Sequence, residues 1–366
     1  MKHADLKSDG DAMDVRGEIE RLFRECCGNG IAGVERLQKS GSARDYYRIT
    51  TSDGSSMIAL FNPNREENDA FYHLTVHLAS KDLPVPRISR YECQKGLFIL
   101  EDGGEHNLYQ WLMSREPAVR YNNETVALFK RALSLLIKFQ TVAIEGAPLG
   151  YCYPVSDFGR RAIMWDMYYF KYMFLNLMGI SFHEQRLEQD MEMLLNHLIE
   201  APAGYLMYRD FQSANIMYND DRLLFIDYQG ARRGALQYDV ASFIYDAKAE
   251  IPSTLRSELA DYYSAALKAE TGYDPELFKE YLSGFSLVRI MQALGAFGLR
   301  GLYEGKPTFT ESIVPAVGLF CELVGSQGIT SPMREMRELA GKILSAPLYV
   351  RLLEGKKESG WEAAPE

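Results

Sequence analysis

Residues 206–230 read "LMYRDFQSANIMYNDDRLLFIDYQG". Three strand-like apolar runs, "GYLMY", "NIMYN" and "LLFID", are interrupted by polar residues, and "NDD" at 219–221 marks a turn between the last two. Asp210 falls just after the first run, Asn215 begins the second and Asp227 ends the third. A hairpin of the last two runs brings its outer ends together. Asn215 and Asp227 then face one point, with Asp210 on the loop beside them. Two oxygen acceptors suit Mg²⁺, a hard cation that takes one or two protein oxygens and completes its octahedron with phosphate and water. The neighbouring carboxylate can accept a hydroxyl proton, which is the arrangement of phosphoryl transfer. Asp-x-x-x-x-Asn alone is a weak signal; the later Asp and the strand context sharpen it. The plainer alternative is that all three residues cap turns.

Upstream of this stretch, the first hundred residues alternate in strand fashion. "VERLQKS", "DYYRITTSD" and "SMIALFNP" are short runs, with Asp53-Gly54 as a hairpin signal between the last two. "REENDAFYHLTVHLASKDL" is an amphipathic helix with Phe71, Leu74, Val76 and Leu78 as apolar positions, stopped by "PVPRI". "ISRYECQ" and "LFILEDG" follow, joined at Lys95-Gly96. The order is β-β-β-α-β-β, preceded by a loose tail over 1–14 and helical spacing in "VRGEIERLFREC". Beyond Gly103 the pattern is mostly helical, and the last dozen residues read as disordered. The expectation is an α+β chain of two lobes: a small antiparallel β lobe with one helix over 1–102, and a larger, mostly α lobe over 103–366. A cleft at the seam, near Glu101–Gly104, would hold a small ligand.

Composition narrows the class. With 366 residues, 25% of them charged and 47% hydrophobic, the chain is an ordinary globular one. A formal net charge of -10 argues against nucleic acid as the main partner. Five irregularly spaced cysteines, two of them adjacent, argue against zinc and disulfides. The polar N-terminus lacks the apolar core of a secretory signal. The richest apolar run, "LVRIMQALGAFGLRGLY", is broken by Arg289 and Arg300. A cytoplasmic protein with no membrane partner is expected. "LYEGKPT" is not a phosphate-binding Walker loop, because Arg300 and Pro307 occupy positions that need Gly and Ser or Thr. His73 and His77 stand one helical turn apart without the rest of a metal motif.

On these motifs the chain resembles the aminoglycoside phosphotransferase and choline kinase family, which has the protein-kinase-like fold. "YRDFQSANIM" resembles its catalytic loop and "LLFIDYQGA" its metal-binding segment; "LQYDVASFIYD" is similar to the helix that follows. The resemblance implies ATP and Mg²⁺ as cofactors and a small-molecule hydroxyl as acceptor. Asp210 would be the catalytic base, with Asn215 and Asp227 holding metal. Tyr208 and Asp239 would support the loop. "SGSARDYYRI" is similar to the β1–β2 phosphate loop, which would place Ser40, Gly41, Ser42, Ala43 and Arg44 at the nucleotide. "FILEDGGEHNLYQWL" resembles the adenine-binding hinge around Glu101. More narrowly, "SGSARDYYR", "DFQSAN" and "DYQGA" are similar to bacterial kinases that phosphorylate the anomeric hydroxyl of N-acetylmuramate or N-acetylglucosamine in cell-wall recycling. Aminoglycoside or choline-type transfer, and a nucleotide-binding pseudokinase, are the alternatives.

Three positions depart from the family pattern. Tyr208 stands where His is usual, Ala214 where Arg is frequent, and "SMIALF" lacks the lysine that protein kinases carry on β3. Arg44, Arg48 or an amide of the Ser40–Ala43 loop could contact phosphate instead. Arg232 and Arg233 read either as a solvated basic pair or as contacts to donor phosphate or a substrate carboxylate. Tyr168, Tyr169 and Tyr172 read as core, or as a wall of the acceptor pocket.

Overall fold

The structure, a computed structural model, describes residues 14–28, 30–37 and 44–358. Of the tail expected over 1–14, residues 1–13 lie outside that range, as do the residues after 358, while Asp14 is the N-cap of the first helix, accepting from the Gly17 amide. A helix, α1 (Val15–Cys27), leads into strands β1 (Ile31–Arg36), β2 (Asp45–Thr51) and β3 (Ser56–Phe61). Helix α2 (Arg65–Ser80) and strands β4 (Ile88–Glu92) and β5 (Leu97–Glu101) complete the small lobe. The strands form one antiparallel sheet in the order β1-β2-β3-β5-β4.

Alternation along the strands divides the sheet's side chains between two faces. Ala59, Leu97 and Ile99 turn to the outer face, where Ile19, Leu22 and Phe23 of α1 cover them. Leu60, Phe98 and Leu100 turn inward against Phe71, Leu74 and Leu78 of α2. The small lobe therefore carries two helices, not the single one expected: a sheet with apolar residues on both faces needs a cover on each. Val76, expected among the apolar positions of α2, is 51% exposed.

The larger lobe is helical. Its first half holds α3 (Leu108–Met113), α4 (Asn123–Thr141), α5 (Arg160–Phe170) and α6 (Glu184–Leu198). Four short strands follow: β6 (Tyr205–Met207), β7 (Ile216–Asn219), β8 (Arg222–Phe225) and β9 (Arg232–Gly234). Helices α7 (Gln237–Ile244), α8 (Ser253–Thr271), α9 (Pro275–Phe297), α10 (Pro307–Thr310), α11 (Ile313–Gly325), α12 (Arg334–Leu344) and α13 (Pro347–Glu358) complete it. α13 covers residues 355–358, which the sequence pattern had assigned to disorder. Docking of Tyr349, Leu352 and Leu353 on the helical core orders this terminus. Helix α9 is apolar around most of its circumference because it runs through the core, burying Phe285, Val288, Met291 and Leu294. With its continuation to Tyr303 it is long and apolar enough to cross a membrane, as is Pro307–Gly325, but 72% of the first window is buried in the protein.

The two lobes share a core. Leu60, Phe71, Phe98 and Leu100 of the small lobe belong to the same buried cluster as Leu108, Phe129, Tyr208, Phe225 and Tyr228.

Candidate active site

The catalytic segment is built on a tight hairpin. β7 and β8 pair from Ile216↔Phe225 to Asn219↔Arg222. Asp220 and Asp221 turn the corner at φ 45° and 61°, the left-handed pair that matches strand twist in two-residue turns. At the open end the Ile226 amide donates to the Asn215 carbonyl (3.0 Å), bringing Asn215 and Asp227 together as expected. Asp227 itself sits at φ 65°. A non-glycine residue held there is strained, and such strain concentrates at functional sites. Its neighbour Tyr228 anchors it: the ring stacks on Phe71 of α2 (5.6 Å between centroids) and the hydroxyl bonds Thr75 Oγ1 at 2.7 Å.

The loop carrying Asp210 is fixed from behind. Asp239, fully buried in α7, accepts hydrogen bonds from the backbone amides of Tyr208 (2.7 Å) and Arg209 (2.8 Å), and from Gln140 Nε2 (2.7 Å). Burial pushes the Asp239 carboxyl up to about 7, against the pull of those N–H donors. The Tyr208 hydroxyl donates to the Ile226 carbonyl, so this side chain ties the loop to the hairpin. Arg209 forms a bidentate pair with Asp166 of α5, both contacts at 2.6 Å. Asn215 Nδ2 donates to the Asp210 carbonyl at 2.9 Å, which orients its amide.

One residue that sequence reasoning missed as a site group stands opposite. Arg289, buried in α9, lies 3.7 Å from Asp210 Oδ1 and donates to Ser242 Oγ (2.7 Å) and Gln292 Oε1 (2.5 Å). The available signal was a charge inside an otherwise apolar helix. Burial without partners is too costly for such a group.

The small-lobe wall supplies two arginines. Arg44, 5% exposed, donates to Asp227 Oδ1 at 2.8 Å and Glu67 Oε1 of α2 at 2.5 Å. Gln229 Nε2 donates to the same Asp227 oxygen (2.8 Å) and Asn62 Nδ2 to the second Glu67 oxygen (2.9 Å). Arg48 instead grips the hinge, with Nε on Asp102 Oδ2 (2.8 Å) and Nη2 on the Gly104 carbonyl (2.8 Å). Gly104 sits at φ 102°, packed so closely on Asn219 that a Cβ would approach its side chain to 2.9 Å. Glu101 ends β5 with its carboxylate on Arg222 (2.6 Å) and its backbone N–H on the Arg87 carbonyl (2.9 Å).

Between the walls lies a cleft of about 610 Å³, within the range that holds small ligands. Ile58 and Leu60 line it from above, Met217 and Leu224 from below; Arg44, Asn215, Asp227 and Gln229 close the polar end. A flat apolar slot ending in charge suits a nucleotide. The two oxygen donors, Asn215 and Asp227, fit a cation that takes its other ligands from phosphate and water. Among the described residues, no group of three or more His, Cys, Asp or Glu side chains could hold a metal unaided.

Other expected residues fall elsewhere. Ser40, Gly41, Ser42 and Ala43 lie outside the described residues. Arg232 and Arg233 belong to β9, a strand the sequence pattern did not show, which pairs with β6. The first strand of the catalytic segment thus pairs outside the hairpin. Arg232 points inward, donating to the Gly230 and Tyr153 carbonyls, and burial beside Arg209 lowers its pKa. Arg233 points outward to Asp157 at 2.5 Å. Strand alternation splits the pair. Tyr172 is 50% exposed and Tyr169 packs on Gly295. His77 bonds the Ala143 carbonyl and His73 stacks on Tyr151.

A small β lobe, a hinge and a helical lobe that brings Asn215 and Asp227 into the cleft, with Asp210 on the adjoining loop, define a phosphotransferase of the protein-kinase-like class. The sequence pattern of the phosphotransferase enzyme family matches residues 33–276, and the chain belongs to that family. It is 25% identical over 308 residues to an N-acetylmuramate/N-acetylglucosamine kinase of Neisseria meningitidis serogroup B, covering 78% of this chain and 88% of the relative. A choline/ethanolamine kinase family protein from Mesorhizobium loti superposes with a TM-score of 0.58 at 14% identity, over 88% of this chain and 99% of that one. An ADP-bound aminoglycoside phosphotransferase does so with a TM-score of 0.53 at 14% identity, over 92% and 99%.

Proposed function

We propose that this phosphotransferase is an ATP- and Mg²⁺-dependent kinase acting on the anomeric hydroxyl of an amino sugar such as N-acetylmuramate or N-acetylglucosamine. The observation that carries the reading is the pairing of Asn215 and Asp227 at the polar end of the cleft, with Asp210 on the adjoining loop, its carbonyl bonded to Asn215 Nδ2. Asn215 and Asp227 would hold Mg²⁺, which would supply charge neutralisation on the phosphates. Asp210 would orient the acceptor hydroxyl and take its proton. Ile58, Leu60, Met217 and Leu224 would sandwich adenine, with the hinge backbone around Glu101 reading its edge. Tyr208 and Asp239 would hold the loop. In this reading residues 1–102 serve the nucleotide and 103–366 the acceptor, and the chain works in the cytoplasm.

The N-acetylmuramate/N-acetylglucosamine kinase relative supports the acceptor class. Arg289 beside Asp210 supports it as well, because a buried guanidinium at the reacting carboxylate disfavours cationic acceptors such as choline or aminoglycosides. The missing lysine on β3 favours a second reading, a nucleotide-binding pseudokinase. Release of ADP from Mg·ATP is the test, run against both amino sugars, other hexoses, choline and aminoglycosides, with Asp210→Asn alongside. Release with one amino sugar, lost in the variant, is expected. Release only with choline or an aminoglycoside would overturn the acceptor class. ATP binding without release on any acceptor would favour the pseudokinase.

A further inference from the structure

In protein kinases a lysine on β3 pairs with a glutamate of the small-lobe helix and reaches the donor phosphates. Here β3 reads "SMIALF", and its cleft-facing positions are Ile58 and Leu60. The helix still offers a glutamate. Glu67 lies in the first turn of α2, its position fixed by Asn62 and by its own amide on the Asn64 cap. β2 pairs with β3 so that Tyr46 faces Leu60. Side chains two apart on a strand share a face, so Arg44 emerges on the cleft side, one strand over from the absent lysine. It lines the cleft and bridges Glu67 and Asp227.

We infer that Arg44 is the phosphate-binding cation of this enzyme, transferred from β3 to the start of β2 and held by Glu67. The inference rests on the nucleotide-dependent reading above. Arginine suits the exchange because its planar fork presents two edges, one for each carboxylate, where an ammonium offers a single point of charge. Glu67 keeps one edge in place. The other lies on Asp227, where donor phosphates and their cation would meet. A buried guanidinium held by two carboxylates at a cleft floor exceeds what packing requires, since neither carboxylate is itself buried: Glu67 is 25% and Asp227 40% exposed in its side chain.

The test compares binding of adenosine, ADP and ATP by calorimetric titration in Mg²⁺ buffer without acceptor, for the wild type, Arg44→Met and Arg44→Lys. The structure predicts that Arg44→Met weakens ADP and ATP about tenfold to hundredfold, the worth of one charge-assisted hydrogen bond. Adenosine affinity should stay within about twofold of wild type, and Arg44→Lys should recover part of the loss. Equal weakening of adenosine and ADP would make Arg44 a packing residue and overturn the inference, as would unchanged ADP binding. Should Arg44→Met fail to fold, Arg44→Gln makes the same comparison. A wild type that binds no nucleotide would instead defeat the kinase reading itself.

Discussion

Behind the C-lobe wall of the cleft, the carboxylate of Asp239 holds backbone amides; on the small-lobe wall, the carboxylates of Glu67 and Asp102 hold the guanidinium groups of Arg44 and Arg48, and Arg44 reaches across to Asp227. The first kind of contact fixes a chain path, because an amide has no rotamers with which to leave. The second fixes charges through side chains that can exchange partners when a ligand arrives. One wall is thus built to keep the catalytic loop in place, and the other to meet a highly charged guest.

The sharpest way to probe this difference is Asp210→Asn, which leaves the buttressing intact, removes the proposed proton acceptor, and takes away the charge facing Arg289, which keeps Ser242 and Gln292 as partners. Turnover should fall about 10² to 10⁴-fold with an unchanged melting temperature; a large loss of stability would show that Asp210 is structural.

Breaking the buttress should do the reverse. Asp166→Ala strands the Arg209 guanidinium, whose side chain is 14% exposed, and should cost about 3–5 kcal/mol in urea unfolding.

Asp239→Asn is expected to cost about 1–3 kcal/mol, because at least one of its three N–H donors, the Tyr208 and Arg209 amides and Gln140 Nε2, loses its acceptor. It should also alter the pH dependence. The Asp239 value rises from an ordinary 3.8 to about 7, so between those limits the folded chain holds a proton that the unfolded chain releases. Its contribution to stability is present below that window and is lost as pH climbs through it, levelling off above about 7. Denaturation midpoints across this range should show that decline in the wild type and a shallower one in Asp239→Asn.

The smallest effect belongs to an exposed tie between the walls. Arg222, 59% exposed in its side chain, pairs with Glu101, and Arg222→Ala should change stability by less than about 1 kcal/mol. A larger change would mean that the hinge depends on that contact.

Much of the C-lobe wall was legible in the sequence because its geometry is local. Asn215 and Asp227 are brought together by one hairpin, and strand period plus a turn signal is enough to place them, with Asp210 on the loop that leads into it. Asp239 was found through the helix that follows. Contacts that join distant segments left no such trace. Nothing near Arg44 in the sequence points to Glu67 or Asp227, and Arg289 lies far along the chain from the loop it faces. β9 escaped because a three-residue strand is too short to show alternation, so Arg232 and Arg233 read as one patch although they point to opposite sides. The second helix of the small lobe was visible as helical spacing at 15–26, but its role as a cover became clear only once the sheet showed apolar residues on both faces.

Phe71 stacking on Tyr228 and the Phe225 amide on the Pro84 carbonyl sew the two lobes together beside the cleft. Lobes joined this way are not interchangeable modules. A chimera that takes its small lobe from another kinase would inherit a mismatched seam in the middle of its core, and either lobe expressed by itself would present that seam to solvent. Whole-chain calorimetry should accordingly give a single cooperative melting transition.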